Sequence, residues 1–157
     1  MGSTTTVTQN PTTGVYSSNT TTADSDDPRG FRNNNWLNIR ISNNNWQGKR
    51  ADNTDGAFEQ FETPEQGIRA AARNIKTYAS RGLNTVKDII STWAPASDNN
   101  NTSSYITNVS RRMGVDPNAQ IDVNNPEVMT NLLAAMAVSE NGREGDIEVI
   151  KRGVAMA

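Results

Sequence analysis

The 157-residue sequence contains no cysteine and no histidine. That excludes a Ser-His-Asp or Cys-His nucleophilic site and any Cys/His zinc site, leaving a carboxylate as the only ordinary acid-base group. Zero cysteine fits an oxidising and a reducing compartment equally. An excess of one charge is also lacking: 15 Lys and Arg stand against 17 Asp and Glu, a formal net charge of -2, with the signs mixed along the chain. No basic field or Lys/Arg block is present to meet a phosphate backbone, so no nucleic acid is expected as a partner. No apolar stretch reaches membrane-spanning length, and no basic region followed by an apolar one opens the chain. A soluble protein with no membrane partner and no signal peptide is therefore expected. The length suits one domain with a single core.

Residues 1–27 are Thr, Ser and Asn punctuated by Pro11, Gly14 and an acidic Asp24-Ser25-Asp26-Asp27, with Val7, Val15 and Tyr16 the sizeable apolar groups. Such a segment cannot bury enough surface to offset its ordering entropy. It reads as an extended polar arm that neighbouring chains would order, which implies a multi-subunit assembly. The globular part is expected over 28–157.

Asn33-Asn34-Asn35 opens it, three residues whose amides compete for the backbone and so imply a fixed loop. Leu37, Ile39 and Ile41 alternate with Asn38 and Arg40, the period of a half-buried strand. A second extended piece is expected around Asn45-Trp46-Gln47-Gly48 and a third over Ala57 to Phe61, closing a small antiparallel meander.

Everything afterwards reads as helix. Thr63-Pro64-Glu65-Gln66 supplies an N-cap, a proline at the first helical position and a capping-box glutamine, with Ile68, Ala71, Ala72, Ile75 and Tyr78 on one face. A second helix runs from about Asn84 or Thr85 through Val86, Ile89, Ile90 and Trp93 and is ended by Pro95, and a third carries Tyr105, Ile106, Val109 and Met113 up to Gly114. Asn125-Pro126-Glu127 opens a fourth, strongly apolar helix that closes at Glu140-Asn141-Gly142, and a fifth begins near Asp146.

Glu140 is the first chemical candidate. The negative end of a helix and a desolvated setting both raise a carboxyl pKa, and a protonated carboxylic acid is what a glycosidic general acid requires. Most glutamates at helix ends are nevertheless solvated and inert. The asparagine amides suit sugar hydroxyl and N-acetyl groups, although Asn-rich turns are more often only turns. Trp36 and Trp46 are possible platforms for a sugar face, whereas Trp93, on the apolar side of a capped helix, reads as core. Asp52, Asp55, Glu59 and Glu62 are each eligible as a second carboxylate, and solvated loop charge is the better reading for all four. No carboxylate cluster has a calcium-loop spacing, so neither a metal nor a cofactor is expected.

A resemblance sharpens these odds. Arg29-Gly30-Phe31-Arg32-Asn33-Asn34-Asn35, Asn38-Ile39-Arg40, Asn45-Trp46-Gln47-Gly48, Pro64-Glu65-Gln66-Gly67-Ile68-Arg69-Ala70, Leu83-Asn84-Thr85-Val86, Trp93-Ala94-Pro95, Tyr105 and Glu140-Asn141-Gly142 together resemble a group of phage virion structural proteins. These are similar to virion-associated, lysozyme-like peptidoglycan-degrading enzymes, of lysozyme or lytic transglycosylase type. The resemblance covers about residues 29–157. It departs from the family pattern at Trp36, where relatives have a proline, and at Ser139, where a histidine or another residue precedes the glutamate.

What the resemblance implies is a domain of lysozyme-like type; with the small N-terminal meander and about five helices read from the residues, the expected fold is a mostly helical α+β domain, preceded by the extended arm, which lies outside the resemblance. Glu140 would be the catalytic acid and then base, while Asn33, Asn34, Asn35, Asn38, Trp46 and Asn141 would bind the peptidoglycan glycan chain. The protein would sit in the phage particle and act at genome delivery, contacting other virion proteins through the arm. The rival expectation is a structural subunit of tail or capsid without turnover. A glycan-binding module without catalysis is a third, and would need an open aromatic groove lacking a buried acid.

Overall fold

In the computed structural model the described residues are 26–157, so the bulk of the proposed arm, residues 1–25, lies outside them. The described chain is helical: α1 (Arg29–Arg32), α2 (Pro64–Ser80), α3 (Val86–Trp93), a 3-10 turn (Ala96–Asp98), α4 (Thr102–Met113), α5 (Pro126–Asn141) and α6 (Ile147–Ala155). The long helices start where the capping chemistry places them. Thr63 and Gln66 form a reciprocal capping box at α2, Thr85 caps α3 by accepting from the Asp88 amide, and Asn125 accepts from the amides of Glu127 and Val128 at α5. Gly114 and Gly142 end α4 and α5 in the left-handed conformation.

The expected meander does not form. Among the described residues there is no strand or sheet, so the α+β assignment is corrected to a helical one. Only isolated antiparallel bridges remain, Arg40 with Phe58 and Lys49 with Phe61 in this region. The asparagines are the reason. Asn34 and Asn38 adopt positive φ, 52° and 54°, which a continuing strand does not tolerate. Asn35 is fully buried and staples the short pairing of 39–41 with 57–59 from within: its Nδ2 donates to the carbonyls of Ile39 and Glu59, both at 2.9 Å, and its Oδ1 accepts from the Ile39 amide at 2.9 Å. Leu37 and Ile39 do point inward as the alternation predicts, but Ile41 is 42% exposed.

The core lies between this loop and the bundle. Ile68 and Ile75 from α2, Ile89 and Ile90 from α3, Leu132, Leu133 and Met136 from α5 and Ile150 from α6 are all fully buried, each contributing roughly 1.5–3 kcal/mol of apolar burial. Two glycines allow close approach. A side chain on Gly67 would strike the Asn34 carbonyl, which lets the start of α2 lie against the loop, and one on Gly153 would strike Ile68, where α6 crosses α2. The loop is clamped at its other end by Asp55. That carboxylate takes both Arg29 donors at 2.7 and 2.6 Å, the Asn33 amide at 2.9 Å and the backbone amides of Ala57 and Phe58. The Arg29 hydrogen bonds, followed by the other donors, hold it well below the usual carboxylate range against the opposing effect of burial. The chain just before α1 is tied down as well, Asp27 pairing with Arg143 through its carboxylate and accepting from Arg32 Nε through its carbonyl.

Candidate functional site

Glu140 is the penultimate residue of α5, and its carboxyl is brought against the asparagine loop, α4 and the end of α3. Asn38 Nδ2 donates to Oε1 at 3.0 Å and the Tyr105 hydroxyl donates to Oε2 at 2.9 Å. The Trp93 side chain also lines the cleft that this carboxyl faces. Burial pushes the carboxyl above its ordinary value; the donors Asn38 and Tyr105, the Trp93 indole and the charge of Arg40 pull the other way without cancelling the shift. Burial, followed by the neighbouring Glu140 charge and hydrogen bond, raises the Tyr105 hydroxyl well above its usual range, so Tyr105 stays a donor.

This carboxyl forms part of the wall of an open cleft of about 320 Å³. Its lining comes from the bridged loops (Asn38, Ile39, Arg40 and Phe58), from α2 (Asn74 and Tyr78), from α3 (Thr92 and Trp93) and from the segment just beyond it, which includes Asp98 and Asn100. A half-buried acid with unusual proton affinity, beside an indole and several amides, can donate a proton to an oxygen lying in the cleft and later withdraw one.

Of the residues singled out in the sequence, the structure brings Glu140 and Asn38 together in this cleft. The remaining asparagines are engaged elsewhere. Asn33 bridges Asp55 and Gln60, Asn34 donates to the carbonyls of Phe61 and Glu62, and Asn35 closes the loop on itself. Asn141 donates to the carbonyls of Trp36 and Ala137, fixing the end of α5 to the loop. Its Oδ1 and that of Asn38 are buried without a hydrogen-bond partner, and both face Gly30, where any side chain would collide with them. Trp46 is half-buried against the core with its indole nitrogen unpartnered, away from the cleft wall, and Trp36 is in the core with its ring 5.0 Å from Phe31.

None of the four carboxylates weighed as a partner for Glu140 lies in the cleft wall. Asp55 holds the loop, Glu59 is buried beside Lys49 at 3.3 Å, Asp52 pairs with Arg50 at 3.3 Å, and Glu62 is exposed. Asp98 does line it. The residues missed by sequence reasoning are thus Trp93, Tyr105, Arg40 and Asp98. Trp93 and Tyr105 sit at apolar helix positions, and periodicity does not separate a side chain facing the core from one facing a cleft beside it. Among the described residues no helix is long and apolar enough to cross a membrane, and no group of three His, Cys, Asp or Glu is placed to hold a metal ion.

No protein-family model matches the sequence. Among known proteins the chain is similar to Protein P5 of Pseudoalteromonas phage PM2, 40% identical over 118 residues, a match spanning 73% of this chain and 71% of the relative. Kinship at that level supports a phage virion-associated protein. A chain alike over most of both lengths shares its relative's fold and descent, and this one belongs to the family of the phage PM2 protein P5.

Proposed function

We propose that this virion-associated phage protein cleaves a cell-wall glycan in the cleft beside Glu140. The observation that supports it most is the carboxyl itself, desolvated, held on both oxygens by Asn38 and Tyr105, and open to a cleft large enough for sugar rings. In the proposed reaction Glu140 gives its proton to the glycosidic oxygen as the bond to the anomeric carbon breaks. The resulting carboxylate then takes a proton from a hydroxyl of the same sugar, whose oxygen closes an anhydro ring on that carbon. Trp93 and the amide of Asn74 offer a face and a donor for the glycan, in place of the asparagines engaged in the loop.

A structural subunit without turnover is the second reading, and a specific observation favours it. The hydrogen bonds on Glu140 also tie the loop at Asn38 to α4 and α5, which is what a strut would do. The kinship to a phage protein supports this reading better than the catalytic one. On either reading, other virion proteins are the proposed partners of the N-terminal arm.

Release of soluble fragments from purified peptidoglycan separates the two. Under the catalytic reading Glu140→Gln lowers the rate by about 100-fold or more while circular dichroism and melting stay near those of the parent. No release by the parent protein itself, or equal release by parent and variant, would leave the structural subunit as the function.

A further inference from the structure

The cleft contains a cation that acts on Glu140 only through its field and that no carboxylate of the described residues pairs with. Arg29 and Arg40 both lie over the ring of Phe58, their guanidinium carbons 4.6 and 5.3 Å from its centroid. Arg29 is fully committed to Asp55. Arg40 is exposed and, among the described residues, makes no hydrogen bond and no ion pair. Asp98, the other charged side chain in the wall besides Glu140, is not within ion-pairing distance of it. A guanidinium laid on an aromatic ring is restrained by the stacking, so less rotational freedom is lost when its donors engage a planar anion.

We propose that Arg40 is a carboxylate-recognition residue that makes the cleft selective for a glycan carrying acidic groups over a neutral one of the same length. The inference rests on the glycan reading of the same cleft. The charge layout gives the bound chain a direction: a carboxylate pairs with Arg40 on the Phe58 side, while uncharged sugar hydroxyls and amides face Asp98 and Asn100, where an anion would be repelled. Arg40 also lies two residues from Asn38, so the loop that positions the Glu140 carboxyl carries the selecting cation. Two sources of the carboxylate share this chemistry, an acidic substituent on the sugar and a peptide attached to it.

The test is binding to the Glu140→Gln protein, which holds ligands without turning them over, measured by calorimetry at low and moderate salt. The probes are a neutral N-acetylglucosamine oligomer, a peptidoglycan strand of matching length stripped of peptide, and the same strand with peptides attached. The expected result is tighter binding of an acidic strand, with a preference that falls by roughly tenfold or more on adding Arg40→Gln while affinity for the neutral oligomer is unchanged. Preference for the stripped strand assigns the carboxylate to the sugar, and preference only for the third probe assigns it to the peptide. Equal affinity for neutral and acidic probes overturns the role of Arg40 and leaves the glycan reading standing. Binding of none of the three overturns the glycan reading and this inference together.

Discussion

Glu140 carries opposing influences on one carboxyl, and their balance is measurable. Burial favours the protonated form, while Asn38, Tyr105, Trp93 and Arg40 favour the anion. Tyr105→Phe deletes one stabiliser of the anion and leaves the burial in place, so the Glu140 pKa moves further up. The sign for stability follows from linkage. Because the folded-state value exceeds the unfolded one, the folded protein binds the proton more tightly, and stability declines as pH rises from the ordinary glutamate range through the folded value. In Tyr105→Phe that decline extends to higher pH, and in Glu140→Gln it is absent. Melting followed between about pH 4 and 8 checks both, and a Tyr105→Phe profile parallel to the parent's throughout would show that the hydroxyl does not tune the acid. If the protein is active, the alkaline limb of its rate profile moves upward with the same substitution.

At the scale of elements, the helices were legible because their signals are local and chemical. Thr63 with Gln66, Thr85, and Asn125 before Pro126 name their own helix starts, and the structure places caps at those residues. Residues 37–41 show the alternation of a strand without forming one, because alternation at Leu37 and Ile39 is a burial pattern, which a side-chain-stapled loop meets as well as a sheet does. Nothing in the spacing tells that Asn35 will pair with the backbone of Ile39 and Glu59. The same blindness hid half of the candidate site. Arg40 occupied the solvent side of an expected strand, and Trp93 and Tyr105 the apolar side of expected helices. The stapled loop makes a prediction at its own scale. Asn35→Ala orphans the buried Glu59 carbonyl and Ile39 amide and takes one of two donors from the Ile39 carbonyl, and the expected loss is about 2 kcal/mol or more in urea unfolding, because each unmet buried group carries a desolvation penalty. Asn34→Gly, which removes bonds at 3.1 and 3.3 Å from a less buried side chain and accepts the positive φ without strain, should cost less than that. A loss at Asn35 below about 1 kcal/mol would mean that water replaces the amide and the loop is not held from within.

For the whole molecule, the division between an arm and a folded body is a proposal carried by composition on one side and by contacts on the other. The body closes its own N-terminal edge at Asp27, through Arg143 and Arg32, and its core draws on the loop and α2 to α6. Beyond Met1, residues 1–25 supply Val7, Val15 and Tyr16 as sizeable apolar side chains, too few to add a packed layer. Deleting residues 1–25 while keeping Asp27 should therefore shift the melting temperature of the isolated protein by less than about 2 °C. The same deletion should strongly reduce the amount of protein recovered in purified particles, because a polar segment of this length gains its order from neighbouring chains rather than from its own body. Incorporation at the parent level would assign the virion contacts to the body, where the structural reading of the Glu140 strut would place them. A fall of many degrees in melting temperature would instead show that the segment packs on its own core and is no arm.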